Sequence, residues 1–138
     1  MIKQLWINLP VKDINVSKKF FSAIGFEHNS KHDPGPDAVS FLVGNDKYVV
    51  MLFNEDTYAH ISQHAVSDTS KGSEVMLSFD AESRAEVDEL ARKVKEAGGD
   101  LFAPPTEIQG WMYGCAFTDP DGHRWNSLFM DTSKMNPG

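Results

Sequence analysis

Few of the side chains able to do chemistry stand in a productive pattern. His60 and His64 are four residues apart, a spacing that puts two imidazoles on one helical face and can hold a metal ion if the segment is helical. That segment reads as a linker with no acid placed beside it by a rigid element, so surface decoration is the expectation. His28 and His32 fall in a polar loop rich in Asn, Lys, Asp and Pro, and His123 follows a tight turn. Cys115, the only cysteine, has no cation or helix N-terminus nearby in sequence to make it a thiolate, and reads as a small core residue. Glu74 is the remaining candidate. Among Trp6, Met51, Met76 and Phe53 its carboxylate would be desolvated and tuned towards neutrality as a general base; the alternative is an ordinary glutamate at an exposed strand start.

The elements that must position these groups come in a pattern written twice. From Gln4 to Pro10, Leu5, Ile7 and Leu9 alternate with Trp6 and Asn8, as in a half-buried strand. Asp13 is placed as an N-cap, Val16, Phe20 and Ile24 follow at helical spacing, and Gly25 suits the C′ position. A short strand at Phe26 leads to a hairpin: Val39 to Val43, a turn at Gly44-Asn45-Asp46, then Lys47 to Phe53. The second half repeats this. Val75, Leu77 and Phe79 alternate with Glu74, Met76 and Ser78, and Ser83 with Glu86 is a capping-box signature. Val87, Leu90, Ala91, Val94 and Ala97 then share one helical face up to Gly98-Gly99. Asp100 to Ala103 precedes Pro104-Pro105 and the last hairpin, Tyr113 to Thr118 and Arg124 to Met130, joined by Asp119-Pro120-Asp121-Gly122-His123.

The result is α+β, two tandem βαβββ modules: residues 1–55, a low-order connection 56–72, residues 73–131, and a tail 132–138. Strand parity sends Leu5, Ile7, Leu9, Val75, Leu77 and Phe79 to the helices. Trp6, Asn8, Met51, Phe53, Glu74, Met76, Asn126 and Leu128 share the other face, which suits either a partly dry ligand cavity or a core or dimer interface. The chain, with 41% apolar residues and a net charge of −7, is expected to be one soluble cytoplasmic domain, with no basic patch for nucleic acid and no apolar run for a membrane.

These modules carry Asn8-Leu9-Pro10-Val11-Lys12-Asp13, a Ser-Lys-Lys-Phe-Phe helix ending at Ile24-Gly25-Phe26, and Trp111-Met112-Tyr113-Gly114 before the Asp-Pro-Asp-Gly-His turn. In this the chain resembles the vicinal oxygen chelate superfamily of glyoxalases, bleomycin-resistance proteins and extradiol dioxygenases. The resemblance implies an eight-stranded, cup-shaped barrel, commonly at a homodimer interface, with the ligand in the cup. In the metal-dependent members His, Glu or Gln side chains hold a divalent ion; carried over, those positions are Trp6, Met51, Glu74 and Asn126. An indole cannot coordinate, a thioether prefers soft ions and an amide oxygen is weak, so no metal and no cofactor are expected.

Two functions compete, beside a third reading as a purely structural or protein-binding dimer. The first is a metal-free binding protein, bleomycin-resistance-like, that sequesters a small hydrophobic or aromatic molecule. Its ligand-binding residues are Trp6, Asn8, Met51, Phe53, Met76, Trp111, Tyr113 and Asn126, with Trp111 as a lid and Trp125 facing the helix layer. The second is a metal-dependent lyase or isomerase of the lactoylglutathione-lyase type, with Glu74 as the catalytic base.

Overall fold

The structure, a computed structural model, describes residues 1–32 and 34–135. The chain divides into two compact units, Met1–Asp68 and Thr69–Gly138. The first contains β1 (Ile7–Val11), α1 (Ile14–Ala23), β2 (Glu27–His28), β3 (Ala38–Val43), β4 (Tyr48–Asn54) and α2 (Glu55–Ser62). The second contains β5 (Met76–Ala81), α3 (Arg84–Glu96), β6 (Asp100–Ile108), β7 (Met112–Thr118) and β8 (Arg124–Met130). Each unit holds a four-stranded sheet of the same design, ordered β1-β4-β3-β2 and β5-β8-β7-β6, with the first strand parallel to the last and the others antiparallel. The repeated βαβββ pattern and the α+β class are therefore as expected.

Both module helices begin where their caps stand. Asp13 accepts the N–H groups of Asn15 and Val16, satisfying two of the donors that a helix start leaves unpaired. Ser83 accepts from Glu86 N at 3.1 Å, and the Glu86 carboxylate reaches back to the N–H of Glu82, one residue before the cap. Gly25 and Gly98 follow α1 and α3 with positive φ, as a left-handed helix stop requires. On α1 the buried stripe differs from the expected one. Ser17, Phe20, Phe21 and the capping Ile24 are buried while Val16 is exposed, so two adjacent phenylalanines share the inward face.

The cores form on the helix side of each sheet. In unit 1 the Phe21 ring lies 5.2 Å from Phe26 and 5.9 Å from Phe41, and Val11 and Leu52 are fully buried. Each such side chain contributes roughly 1.5–3 kcal/mol on leaving water. In unit 2 Val87, Leu90, Ala91 and Val94 are buried on α3, which touches all four strands of its sheet. Phe79 packs edge-on against Phe117 and Trp125.

Four local expectations need correction. The connection over 56–72 is not uniformly without structure, because α2 occupies Glu55–Ser62 behind an Asn54 cap, with Glu55 and Asp56 in its first turn. Leu5 and Val75, expected among the helix-facing residues, precede β1 and β5 and are exposed. Strand β6 does not stop before Pro104-Pro105; it runs through both, because it is the edge strand of its sheet and the register with β7 shifts on either side of Ala103, so that neither proline stands at a paired position. Of the expected tail, Thr132–Lys134 forms a 3-10 turn and residues 136–138 lie outside the described ones.

Candidate functional site

Strand register decides which side chains share a face. In unit 1, Asn8 pairs with Met51 and Met51 with Ser40, while Pro10 pairs with Phe53 and Phe53 with Ala38. These point away from the face carrying Phe41, Val50 and Leu52, against which α1 packs. The expected trio Asn8, Met51 and Phe53 thus shares one face; Asn8 is exposed, Phe53 half-buried and Met51 buried. Ser40, which the sequence reading passed over, is 1% exposed beside Met51, and its hydroxyl accepts from Asn29 Nδ2 at 3.4 Å.

In unit 2 the corresponding face carries Met76 beside Arg124, Ser78 beside Asn126 and Asp80 beside Leu128. Met76 is 51% exposed, and the Ser78 hydroxyl donates a hydrogen bond to the Asn126 amide oxygen. The Arg124 guanidinium lies 4.3 Å from the centre of the Phe102 ring. This stack depends on β6: between Asp100 and Ala103 the register with β7 slips, and such an irregularity re-aims a side chain. Phe102 is thereby brought to Arg124. Its guanidinium makes no ion pair among the described residues, so its in-plane donors stay available while one face of the plane is covered. Arg124 was legible, having the parity of Asn126; Phe102 was not, because the slip breaks the alternation from which parity is read.

Four other expected site residues sit elsewhere. Trp6 precedes β1 and is 53% exposed, outside the ladder that would aim it. Glu74 lies in the bend before β5 and is exposed, not set among Trp6, Met51, Met76 and Phe53 out of water. Tyr113 pairs with Phe129, on the face of Trp125 and Phe117 rather than that of Asn126. Its hydroxyl donates to Asp88 of α3 at 2.6 Å, the Arg84 guanidinium lies 4.8 Å from its ring, and the accepting Asp88 carboxylate raises the phenol above its ordinary range. Tyr113 therefore belongs to the helix side. Trp111 ends a two-residue turn, Gln109 and Gly110 both having positive φ, in which its N–H donates to Ile108 O and its carbonyl accepts from Asp131 N at 2.8 Å.

The remaining candidates are structural. Trp125 is buried on the helix side, as its parity required. Burial pushes the Cys115 thiol up to about 11, with the Asp88 charge adding to the effect, far from thiolate at neutral pH. His60 lies in the last turn of α2, but Gln63 takes a left-handed conformation and ends the helix before His64, so the two imidazoles share no helical face.

The metal positions fit poorly. Trp6 and Met51 offer no oxygen or nitrogen lone pair, the Asn126 oxygen is engaged by Ser78, and Glu74 alone is a conventional ligand. Among the described residues no three His, Cys, Asp or Glu side chains cluster as a metal site would need.

The family model described as Glyoxalase/Bleomycin resistance protein/Dioxygenase superfamily matches residues 3–126. Among solved structures, a hypothetical protein from S. aureus is 37% identical, with a TM-score of 0.83 over 94% of this chain and 95% of that one. A glyoxalase-related enzyme from Fulvimarina pelagi is 21% identical, with a TM-score of 0.78 over 93% of this chain and 88% of that one. The fosfomycin resistance protein FosX from Listeria monocytogenes, complexed with Mn(II) and sulfate, is 20% identical, with a TM-score of 0.68 over 97% and 95%. At 20 and 21% identity the last two speak for the fold alone. No curated protein matches the chain.

Proposed function

Since the chain belongs to the glyoxalase/bleomycin resistance protein/dioxygenase superfamily, we propose that it works without a metal, as a binding protein for a small hydrophobic or aromatic molecule. The observation that carries this reading is the face of unit 2. There Met76 and Leu128 supply soft apolar surface, Ser78 and Asn126 a hydrogen-bonding pair, and Arg124 a flat cation already stacked on Phe102. An aromatic ligand gains area on such a surface, and a few fixed polar groups set its orientation. In unit 1, Asn8, Met51 and Phe53 offer the same mixture. The protein is proposed to act as a homodimer in the cytoplasm.

The poor donor set supports the metal-free part of the proposal, and no step is routed through an ion. A lyase would need a polarised carbonyl and a base held out of water, and Glu74 is exposed. Elemental analysis of dialysed protein is the direct test, with far less than one equivalent of Zn, Ni, Mn or Fe per chain expected. Close to one equivalent overturns the binding-protein reading. Light scattering at micromolar concentration tests the dimer, against which a monomer mass would stand.

A further inference from the structure

We propose that unit 1 carries a second binding site that takes a small organic anion with an apolar body. A cavity of about 320 Å³ lies between the start of α1 and the chain joining β2 to β3, at the lower end of the range of roughly 300–1,000 Å³ usual for small-molecule sites. Its floor is apolar, made by Ile14 of α1 with the buried Ala38 and Val39 of β3. Its rim is rich in donors: Lys18 brings an ammonium, and His28 and His32 bring imidazoles. No carboxylate stands among the described residues that line it.

Among the described residues, the acids near this rim in sequence have other partners. Asp13 is committed to the first N–H groups of α1, and Asp37 accepts from Asn54 Nδ2 at 2.8 Å. Asp33 lies outside the described residues. Lys18 makes no ion pair among the described residues, in a chain whose net charge is −7. Donors grouped above an apolar floor favour a ligand that presents an anionic group to the rim while its hydrocarbon part leaves water. An inorganic ion would leave the floor unused, and a neutral hydrocarbon would leave the rim unused. The class is therefore a small aromatic or aliphatic carboxylate. None of Asn8, Met51, Phe53, Arg124 and Asn126 lines the cavity; of its lining Ala38, the register partner of Phe53, belongs to the same strand face, while Ile14 and Lys18 come from α1.

The test is a titration of the full-length protein with benzoate, followed by NMR of the His28 and His32 imidazoles and of the Ala38 and Val39 methyl groups. Saturable shifts at these four residues are expected. Lys18→Ala, a change at an exposed helix position, should raise the apparent Kd at least tenfold, and benzamide, of the same shape without the charge, should bind at least tenfold more weakly than benzoate. Any loss of aromatic binding in Arg124→Ala should be read at Met76 and Leu128, and not in the shifts of these four residues. Shifts that stay linear to the highest concentration, or that survive Lys18→Ala intact, overturn the proposal. Shifts at Met76 and Leu128 in place of Ala38 and Val39 also overturn it, while leaving the reading of the unit 2 face standing.

Discussion

The indole N–H of Trp125 donates to Oδ2 of Asp119 at 3.1 Å, tying the residue that opens the β7–β8 turn to the core of its own sheet. The other carboxylate oxygen accepts the N–H groups of Asp121 and His123, and the Asp119 carbonyl accepts from Gly122 N at 3.0 Å. One buried side chain thus organises the whole turn. Thr69 clasps it from outside, its hydroxyl donating to Asp121 O at 2.6 Å.

Asp119→Asn is expected to destabilise the protein by about 1–3 kcal/mol, because the amide's NH₂ would meet a donor on one side of the turn. Burial raises the Asp119 carboxyl above its ordinary range, the His123 charge and the Trp125 hydrogen bond opposing that rise only in part. A raised carboxyl favours folding fully at pH below its unfolded value and loses that contribution as pH climbs through the raised folded value. Urea unfolding at several pH values should therefore show the gap between wild type and Asp119→Asn narrowing as pH rises. A gap that widens would contradict the assignment.

Gly114→Ala is expected to cost about 1–3 kcal/mol by overpacking. A Cβ at that position would meet the Leu128 side chain and lie 2.7 Å from the Ser127 carbonyl oxygen. Leu128→Ala should relieve the first contact and leave the second, so chemical denaturation of the double variant should show partial rescue.

Ligand binding separates the aromatic residues. Arg124→Ala should weaken an aromatic ligand by about 1 kcal/mol, roughly fivefold in Kd, through loss of the cation–π partner. Trp6→Ala is expected to lose a similar amount if its exposed indole stacks on the ligand. Tyr113→Phe should change nothing, because that ring lies on the helix side. Fluorescence titration of the three variants checks the set; a Tyr113→Phe effect equal to that of Arg124→Ala would mean the two faces had been exchanged.

Cys115, 4% exposed and pushed up to about 11, should react with a thiol-specific disulfide reagent at pH 8 far more slowly than a free thiol does. Adding denaturant should restore the rate. Fast labelling of the native protein would show that β7 opens readily.

What was legible in the sequence was what neighbours along the chain decide. Asp13 and Ser83 cap helices within three residues of themselves, and the β7–β8 turn is written in five consecutive residues. Helix α2 had its signal too, Asn54 followed by Glu55 and Asp56, but none of its residues is buried, so no apolar periodicity announced it. Tyr113 went to the wrong face although simple alternation with Asn126 across the hairpin would have assigned it. Glu74 could not have been judged that way, since alternation gives direction and never depth. The course of β6 through Pro104 and Pro105 depends on its place at the sheet edge, which only the assembled sheet decides.

That course bears on how the folded chains keep apart. A sheet edge is a template for another strand, and three of the four edges here carry a device against it. Strand β6 holds two prolines, β1 holds Pro10, and β2 is two residues long. Strand β5, Met76–Ala81, has no proline and one charged residue, the exposed Asp80. Resistance to edge-on aggregation therefore narrows to a single carboxylate: replacing Asp80 with an apolar residue should shorten the protein's life in concentrated solution more than it lowers its melting temperature.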